Sequence, residues 1–233
     1  MTNCIWHGRR LSKCFAQQRN KGMNSVSVKY DSIAGVGGVN QDRILCEQLA
    51  DDYIAILADG MGGLQHGDLA ADIVVHDICN KVKDEVPLTD IPHVLNEAFT
   101  QADHAIAERS RQLHCKMGTA VTVVIIKGNT LYCAWQGNVR LYCQQEGELV
   151  QLTEDYVKSD NCNTLLTRCV NGKGYRYPIP ILTKTLQGVS FLILCSDGFY
   201  QSENYLVLAE QDKLPPSIEP QQDDASYIIL QLK

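Results

Sequence analysis

No apolar run in these 233 residues is long enough to span a bilayer, and the N-terminus lacks the apolar core of a secretory signal, so a soluble, cytoplasmic protein is expected. Net positive charge is missing as well. The formal charge is −6 at pH 7, which leaves no global attraction to nucleic acid or to an anionic membrane. The ten cysteines include no CxxC pair, and this removes the usual signature of a zinc site. They are scattered through apolar segments such as LYCAW, RLYCQ and LILCSDG, where reduced, buried thiols are expected rather than a disulfide framework. There is no internal repeat and no low-complexity tract, which excludes solenoids and extended linkers. The chain is 45% hydrophobic, enough at this length to bury the core of one ordinary domain.

Charge is unevenly spread. Residues 1–24 hold Arg9, Arg10, Lys13, Arg19 and Lys21 and no acid, and they read as a basic leader, either a flexible arm or an extended start, ahead of a domain over residues 25–233. Segments 25–34, 42–48 and 53–58 are short and rich in Val, Ile, Leu and Tyr, which predicts strands. Two helices follow. In DLAADIVVHDICNKVKDEV the apolar stripe is Leu69, Ile73, Val74, Ile78 and Val82, with Pro87 just beyond. In IPHVLNEAFTQADHAIAERSRQ it is Val94, Leu95, Ala98, Ala102, Ala105 and Ile106. One face of each helix is expected to pack on a sheet.

After Met117 the pattern is mainly strand, with Gly-Asn and Glu-Gly as hairpin turn signals. Further strands are expected at 179–186, 190–196 and 225–232, and the polar stretch AEQDKLPPSIEPQQDD reads as a loop. Strands, then two helices, then strands imply an α+β fold of stacked layers, mostly antiparallel sheet and helix.

The chemistry-bearing residues are the aspartates. Asp42 precedes a strand, Asp59 ends YIAILA, Asp197 ends FLILCS, and Asp223 and Asp224 stand before ASYIILQL. Carboxylates at strand ends can converge on one rim of a pair of sheets, where they repel unless hard cations separate them. Each Asp-Gly alone is an ordinary turn, and Asp-Asp before a strand is an ordinary solvated cap. The run DGMGGLQHGDLAA is more restrictive, because four glycines and an acid at a strand-to-helix junction imply close backbone approach. It has neither the lysine of a phosphate-binding GxxxxGK[ST] loop nor GxGxxG spacing, so a nucleotide fold is the weaker reading.

Five blocks, NQDR, ADGMGGLQHGDLAA, MGTAVTVVIIKGNTLYCAWQGNVRLYCQQEGELVQLTED, FLILCSDG and DDASYIILQL, resemble in order and spacing the metal-dependent protein phosphatase 2C family, most of all its bacterial members. The resemblance covers residues 25 to 233. It implies an α-β-β-α sandwich of two antiparallel sheets flanked by helices, and a pair of Mn²⁺ or Mg²⁺ ions bridged by water. By position it assigns metal binding to Asp42, Asp59, Asp197 and Asp223 and to the carbonyl of Gly60, with the same four acids forming the catalytic centre. A phosphoserine or phosphothreonine in a protein is then the implied substrate, and a Ser/Thr kinase the implied signalling opponent.

The departures from the family pattern are specific. Gly37 stands where members usually have a phosphate-holding arginine, and Gln41 where glutamate is common. Asn138, in GNVR, replaces an acid linked to a third metal, and Asp223-Asp224 replaces Asp-Asn. Met61 follows the Asp-Gly, as in many bacterial relatives, and His66 reads as an incidental turn residue. The flap that usually follows LTEDY is almost absent, and between Gly198 and Asp223 there is room for one short helix, so a reduced helical layer is expected. A working phosphatase is the favoured reading because all four core acids are present. Its alternative is a catalytically weak or inactive phosphatase-like binding module, for which Gly37 and Asn138 speak.

Overall fold

The computed structural model describes residues 26–160, 163–202, 205–211 and 218–232, and the basic leader lies outside them. In chain order the elements are β1 (Val26–Ile33), β2 (Asp42–Leu49), β3 (Asp52–Gly60), α1 (Gly67–Asp84), α2 (Ile91–Gln112), β4 (Thr119–Lys127), β5 (Thr130–Gln136), β6 (Arg140–Gln145) and β7 (Glu148–Gln151). They continue with β8 (Val157–Asp160), β9 (Asn163–Leu166), β10 (Ile181–Thr185), β11 (Val189–Cys195), α3 (Asp197–Tyr200), α4 (Tyr205–Glu210) and β12 (Ala225–Leu232). Among the described residues, no helix is long and apolar enough to cross a membrane.

Two antiparallel five-stranded sheets stack face to face, one in the order β10-β5-β4-β3-β2 and the other β1-β12-β11-β6-β7. β3 shows why. Its near-continuous apolar run supplies two faces with a period of two: Ile54, Ile56 and Ala58 enter the core under the helices, whereas Tyr53, Ala55 and Leu57 enter the core between the sheets. α1 and α2 cover the outer face of that sheet. The outer face of the second sheet, with Tyr142, Ile193, Tyr227 and Ile229, is covered by Phe199 of α3, Ala209 of α4 and Ile218. The expected α-β-β-α sandwich is therefore present, and its second helical layer is thin. It holds two short helices where one was expected.

Local signals explain most boundaries. Asp90 caps α2 by accepting a hydrogen bond from His93 N at 3.2 Å, with Pro92 in the first turn. The turns Gly128-Asn129 and Glu146-Gly147 join hairpins, and both residues of the second have positive φ, 54° and 89°. Gly137-Asn138 does something else: β5 and β6 lie in different sheets, so this Gly-Asn carries the chain across the sandwich. The shortened flap segment holds a small hairpin, β8 with β9. In α1 the buried face is Ala70, Ala71, Val74, Val75, Ile78, Cys79 and Val82, with Leu69 and Ile73 half-buried at its edge.

In α2 the buried face includes Phe99 and Asp103, while Ala105 is half-exposed. Asp103 is only 2% exposed, and its carboxylate accepts from Asn171 N (3.1 Å), Gly172 N (2.7 Å) and Gly174 N (2.7 Å). One acid thus holds the loop after β9 against the helix. Asp103→Ala leaves three N–H groups without their acceptor, so a loss of about 2–3 kcal/mol in urea unfolding is expected. Asp103→Asn keeps one acceptor oxygen and should lose less. Equal stability of all three proteins would show that water replaces the carboxylate without cost.

Candidate active site

The register of β2 with β3 places Asp42 directly opposite Asp59 at one end of the first sheet. At the same end of the second sheet, Asp197 follows β11 and Asp223 precedes its neighbour β12. Ser196 joins the two sides, since its Oγ donates to Asp42 Oδ2 at 2.8 Å while accepting from Ser226 N at 3.0 Å. The four acids picked out in the sequence are therefore together. They grade from Asp42, buried, through Asp59 and Asp197, partly exposed, to Asp223 at the surface.

Crowding and burial disturb their ionisation. The Asp59 carboxyl is raised well above the usual range by burial first, and then by the charges of Asp42, Asp197, Asp223 and Asp224. Burial also raises Asp42 strongly, against the hydrogen bonds of Ser226 and Ser196. Asp197 is raised by burial and by Asp223, and lowered by hydrogen bonds with Asp59, Gly198 and Asn138. Asp42 Oδ1 is buried without a hydrogen-bond partner. A set of acids that is buried, mutually repelling and short of donors has the chemistry of a hard-cation site. Among the described residues no three His, Cys, Asp or Glu side chains close round a single point.

The adjacent cation, Arg43, acts to lower the Asp224 carboxyl and is also engaged by other partners. Arg43 Nη1 donates to the carbonyls of Asn40 and Asp42, both at 2.8 Å, and the guanidinium faces Asp68 and Asp72 at 3.8 and 3.7 Å. The backbone approaches are tight enough to require glycine at two positions. A Cβ on Gly60 would lie 2.4 Å from Gly67 O, and one on Gly198 would lie 2.2 Å from Asp224 O. These contacts fold the loop after β3 back on the start of α1 and lock the loop after β11 against the start of β12.

A residue family match decides what this cluster belongs to. The family model for protein phosphatase 2C matches residues 31–225. The chain belongs to the protein phosphatase 2C family. Over 119 residues it is 35% identical to the serine/threonine protein phosphatase PstP of Mycobacterium tuberculosis, a match covering 50% of this chain and 22% of PstP. It is 28% identical over 167 residues to the serine/threonine phosphatase Stp of Listeria welshimeri, covering 62% of this chain and 66% of Stp. The matched region is thus about a fifth of the length of the first relative. Among solved structures, the catalytic domain of PstP in complex with two manganese ions superposes with a TM-score of 0.73 at 22% identity, covering 89% of this chain and 98% of that one. Stp1 of Staphylococcus aureus gives 0.74 at 15% identity, covering 99% and 100%. At such identities the structures establish the phosphatase 2C fold.

Ser196, Arg140, Asp155 and Tyr200, which the sequence did not single out, support the cluster, and Asn138 takes a role other than the one its position suggested. Asn138 Nδ2 donates to Asp197 Oδ2 at 3.1 Å, and Asn138 O accepts from Tyr200 at 3.2 Å. The Tyr200 ring lies 3.6 Å under the Arg140 guanidinium, which is fixed by Asp155 through Nε (3.0 Å) and Nη2 (2.6 Å). The arginine of GNVR was the signal available in the sequence. Asp224 is among the charges that raise Asp42 and Asp59, and backbone donors engage both its oxygens: Oδ1 accepts from Gly35 N at 2.8 Å and Oδ2 from Gln41 N at 2.7 Å. It clamps loop 34–41. Gly37 sits exposed in that loop, and His66 stands at the N-terminus of α1 with φ 60° and no side-chain cap bond.

Proposed function

We propose that the chain is a metal-dependent phosphoprotein phosphatase that hydrolyses phosphoserine and phosphothreonine and opposes a Ser/Thr kinase. The observation that carries this reading is the convergence of Asp42, Asp59, Asp197 and Asp223 from strand ends of both sheets, with Asp42 Oδ1 buried and unpartnered. The two manganese ions in the PstP catalytic domain support the same reading. The four acids and the Gly60 carbonyl are the groups that would hold two Mn²⁺ or Mg²⁺ ions. When bound, such ions supply an ionised water as nucleophile and offset the phosphoryl charge.

The chain's own residues orient this set. Ser196 fixes the Asp42 carboxylate through Oδ2, leaving Oδ1 for a ligand. Asn138 fixes one oxygen of Asp197, and the Arg140–Tyr200 stack fixes Asn138. The missing side chain of Gly60 keeps the loop after β3 close to α1.

The test is phosphate release from a phosphothreonine peptide with and without chelator. Hydrolysis should stop on chelation and return with Mn²⁺, whereas turnover that persists in chelator would overturn the reading. Gly37 adds a sharper expectation. A Cβ there meets nothing within 4 Å, so Gly37→Arg is accommodated and places a guanidinium on the loop beside the acids. One charge-assisted contact to the phosphoryl group contributes about 1.5–3 kcal/mol, so KM should fall by about tenfold or more. An unchanged KM would mean that the phosphoryl group does not approach this loop.

A further inference from the structure

Beside the site, cationic and aromatic side chains form a stacked column. Trp135 stacks on Tyr156, with ring centroids 6.4 Å apart and planes within 8° of parallel. The Arg168 guanidinium lies 4.0 Å from the Tyr156 centroid and 4.8 Å from that of Tyr177, and Arg176 lies 5.5 Å from Tyr177. Among the described residues Arg168, Lys173 and Arg176 form no ion pair, although the chain as a whole is acidic. Tyr177 is 50% exposed. Next to it a groove of about 490 Å³ runs between this loop and Asn96, Thr100 and His104 of α2.

The groove is preorganised, and a chain of backbone contacts links its loop to the strand ends that carry the acids. Asp103 lies at its base, but that carboxylate is engaged by three backbone N–H groups, and Tyr175 Oη donates to Phe99 O at 3.0 Å. Met61, next to Gly60, and Asn171 both come within 3.0 Å of the Cβ position of Gly118. Along the sheet, Asp59 pairs with Ala120, which abuts Gly137, and a Cβ on Gly137 would lie 3.6 Å from Arg168 O. Extended peptide advances about 3.3 Å per residue, so a few residues beside a phosphorylated side chain reach from the acids to the column.

We propose that this column is a docking surface for an acidic segment flanking the phosphorylated residue of the substrate protein. A guanidinium stacked on an aromatic face keeps its N–H edge free for bidentate pairing with a carboxylate. The acid cluster repels an acidic substrate, and the unpaired arginines beside it supply the opposite potential that steers and registers the segment. The proposal rests on the phosphatase reading and deepens it by naming the substrate class.

The experiment compares phosphothreonine peptides carrying a run of glutamates before or after the phosphorylated residue with a peptide carrying alanines. It uses the wild type, Arg176→Glu, and the double variant Arg168→Ala/Arg176→Ala. One glutamate peptide should be preferred over the alanine peptide by about tenfold in kcat/KM, through KM, and the preference should shrink as salt rises. In either variant that ratio should fall to unity. A wild-type ratio of one, or variants that lower both peptides in equal proportion, would overturn the proposal. Fluorescence anisotropy of an unphosphorylated glutamate peptide reads docking without turnover. If no peptide is hydrolysed, the phosphatase reading fails; binding that the variants abolish then still supports the docking surface, and absence of binding removes it.

Discussion

Asp59→Ala is expected to lower kcat for a phosphothreonine peptide by about a thousandfold or more while the protein stays folded, because Asp59 is central to the acid cluster that would hold the cations. Its carboxyl feels Asp42, Asp197, Asp223 and Asp224 together. Its side chain shares a hydrogen bond with Asp197 inside the cluster, and its backbone contact, Asp59 O accepting from Thr119 Oγ1 at 2.7 Å, is retained by alanine. Truncation also removes a crowded charge, so in chelator the variant should unfold no earlier than the wild type, and later by about 1 kcal/mol. Phosphate release and thermal unfolding in chelator check the two halves. Activity within tenfold of wild type would remove Asp59 from the chemistry, and early unfolding would make its role structural.

Chelated wild-type protein should become more stable as the pH falls from neutrality, and Mn²⁺ should abolish that dependence. The folded-state pKa values of Asp42, Asp59 and Asp197 lie above the ordinary 3.8, so the folded chain binds more protons than the unfolded one between that value and the raised ones. Stability therefore falls as pH rises through this window, and the full penalty applies above it. Cations that bind the folded form reverse the penalty, adding about 2.7 kcal/mol for each site at a hundredfold excess over Kd. Melting curves from pH 5 to 8, with chelator and with Mn²⁺, give the answer. Identical melting temperatures at neutral pH would show that the cluster does not hold these ions.

Much of this arrangement was legible in the sequence wherever one local rule governed a segment. IPHVLNEAFTQADHAIAERSRQ is α2 from end to end, because Asp90 and Pro92 start it and the apolar stripe keeps its period. The four acids were legible because each stands at the end of an apolar run. Features set by distant partners were hidden. Nothing local in the sequence sets Asp103 apart, and only the loop 171–174 folding back on it makes it a buried acceptor. Asp224 was legible as an acid before the last strand, but not as the acceptor that engages Gly35 N and Gln41 N. β8 and β9 are too short and polar to register as strands alone, and identical Gly-Asn pairs make a hairpin at 128–129 and a crossing between sheets at 137–138.

The division of the acids between two sheets has a consequence for biogenesis. Asp42 and Asp59 are translated early and belong to one leaf, whereas Asp197 and Asp223 come late and belong to the other. β12, near the end of the chain, inserts between β1 and β11 rather than adding at an edge. A nascent chain emerging N-terminus first holds half a cluster until that insertion, which also seals its core. Assembly of the acid cluster then coincides with closure of the second sheet, and a chain lacking β12 leaves β1 and β11 without the strand between them and the late acids without their framework.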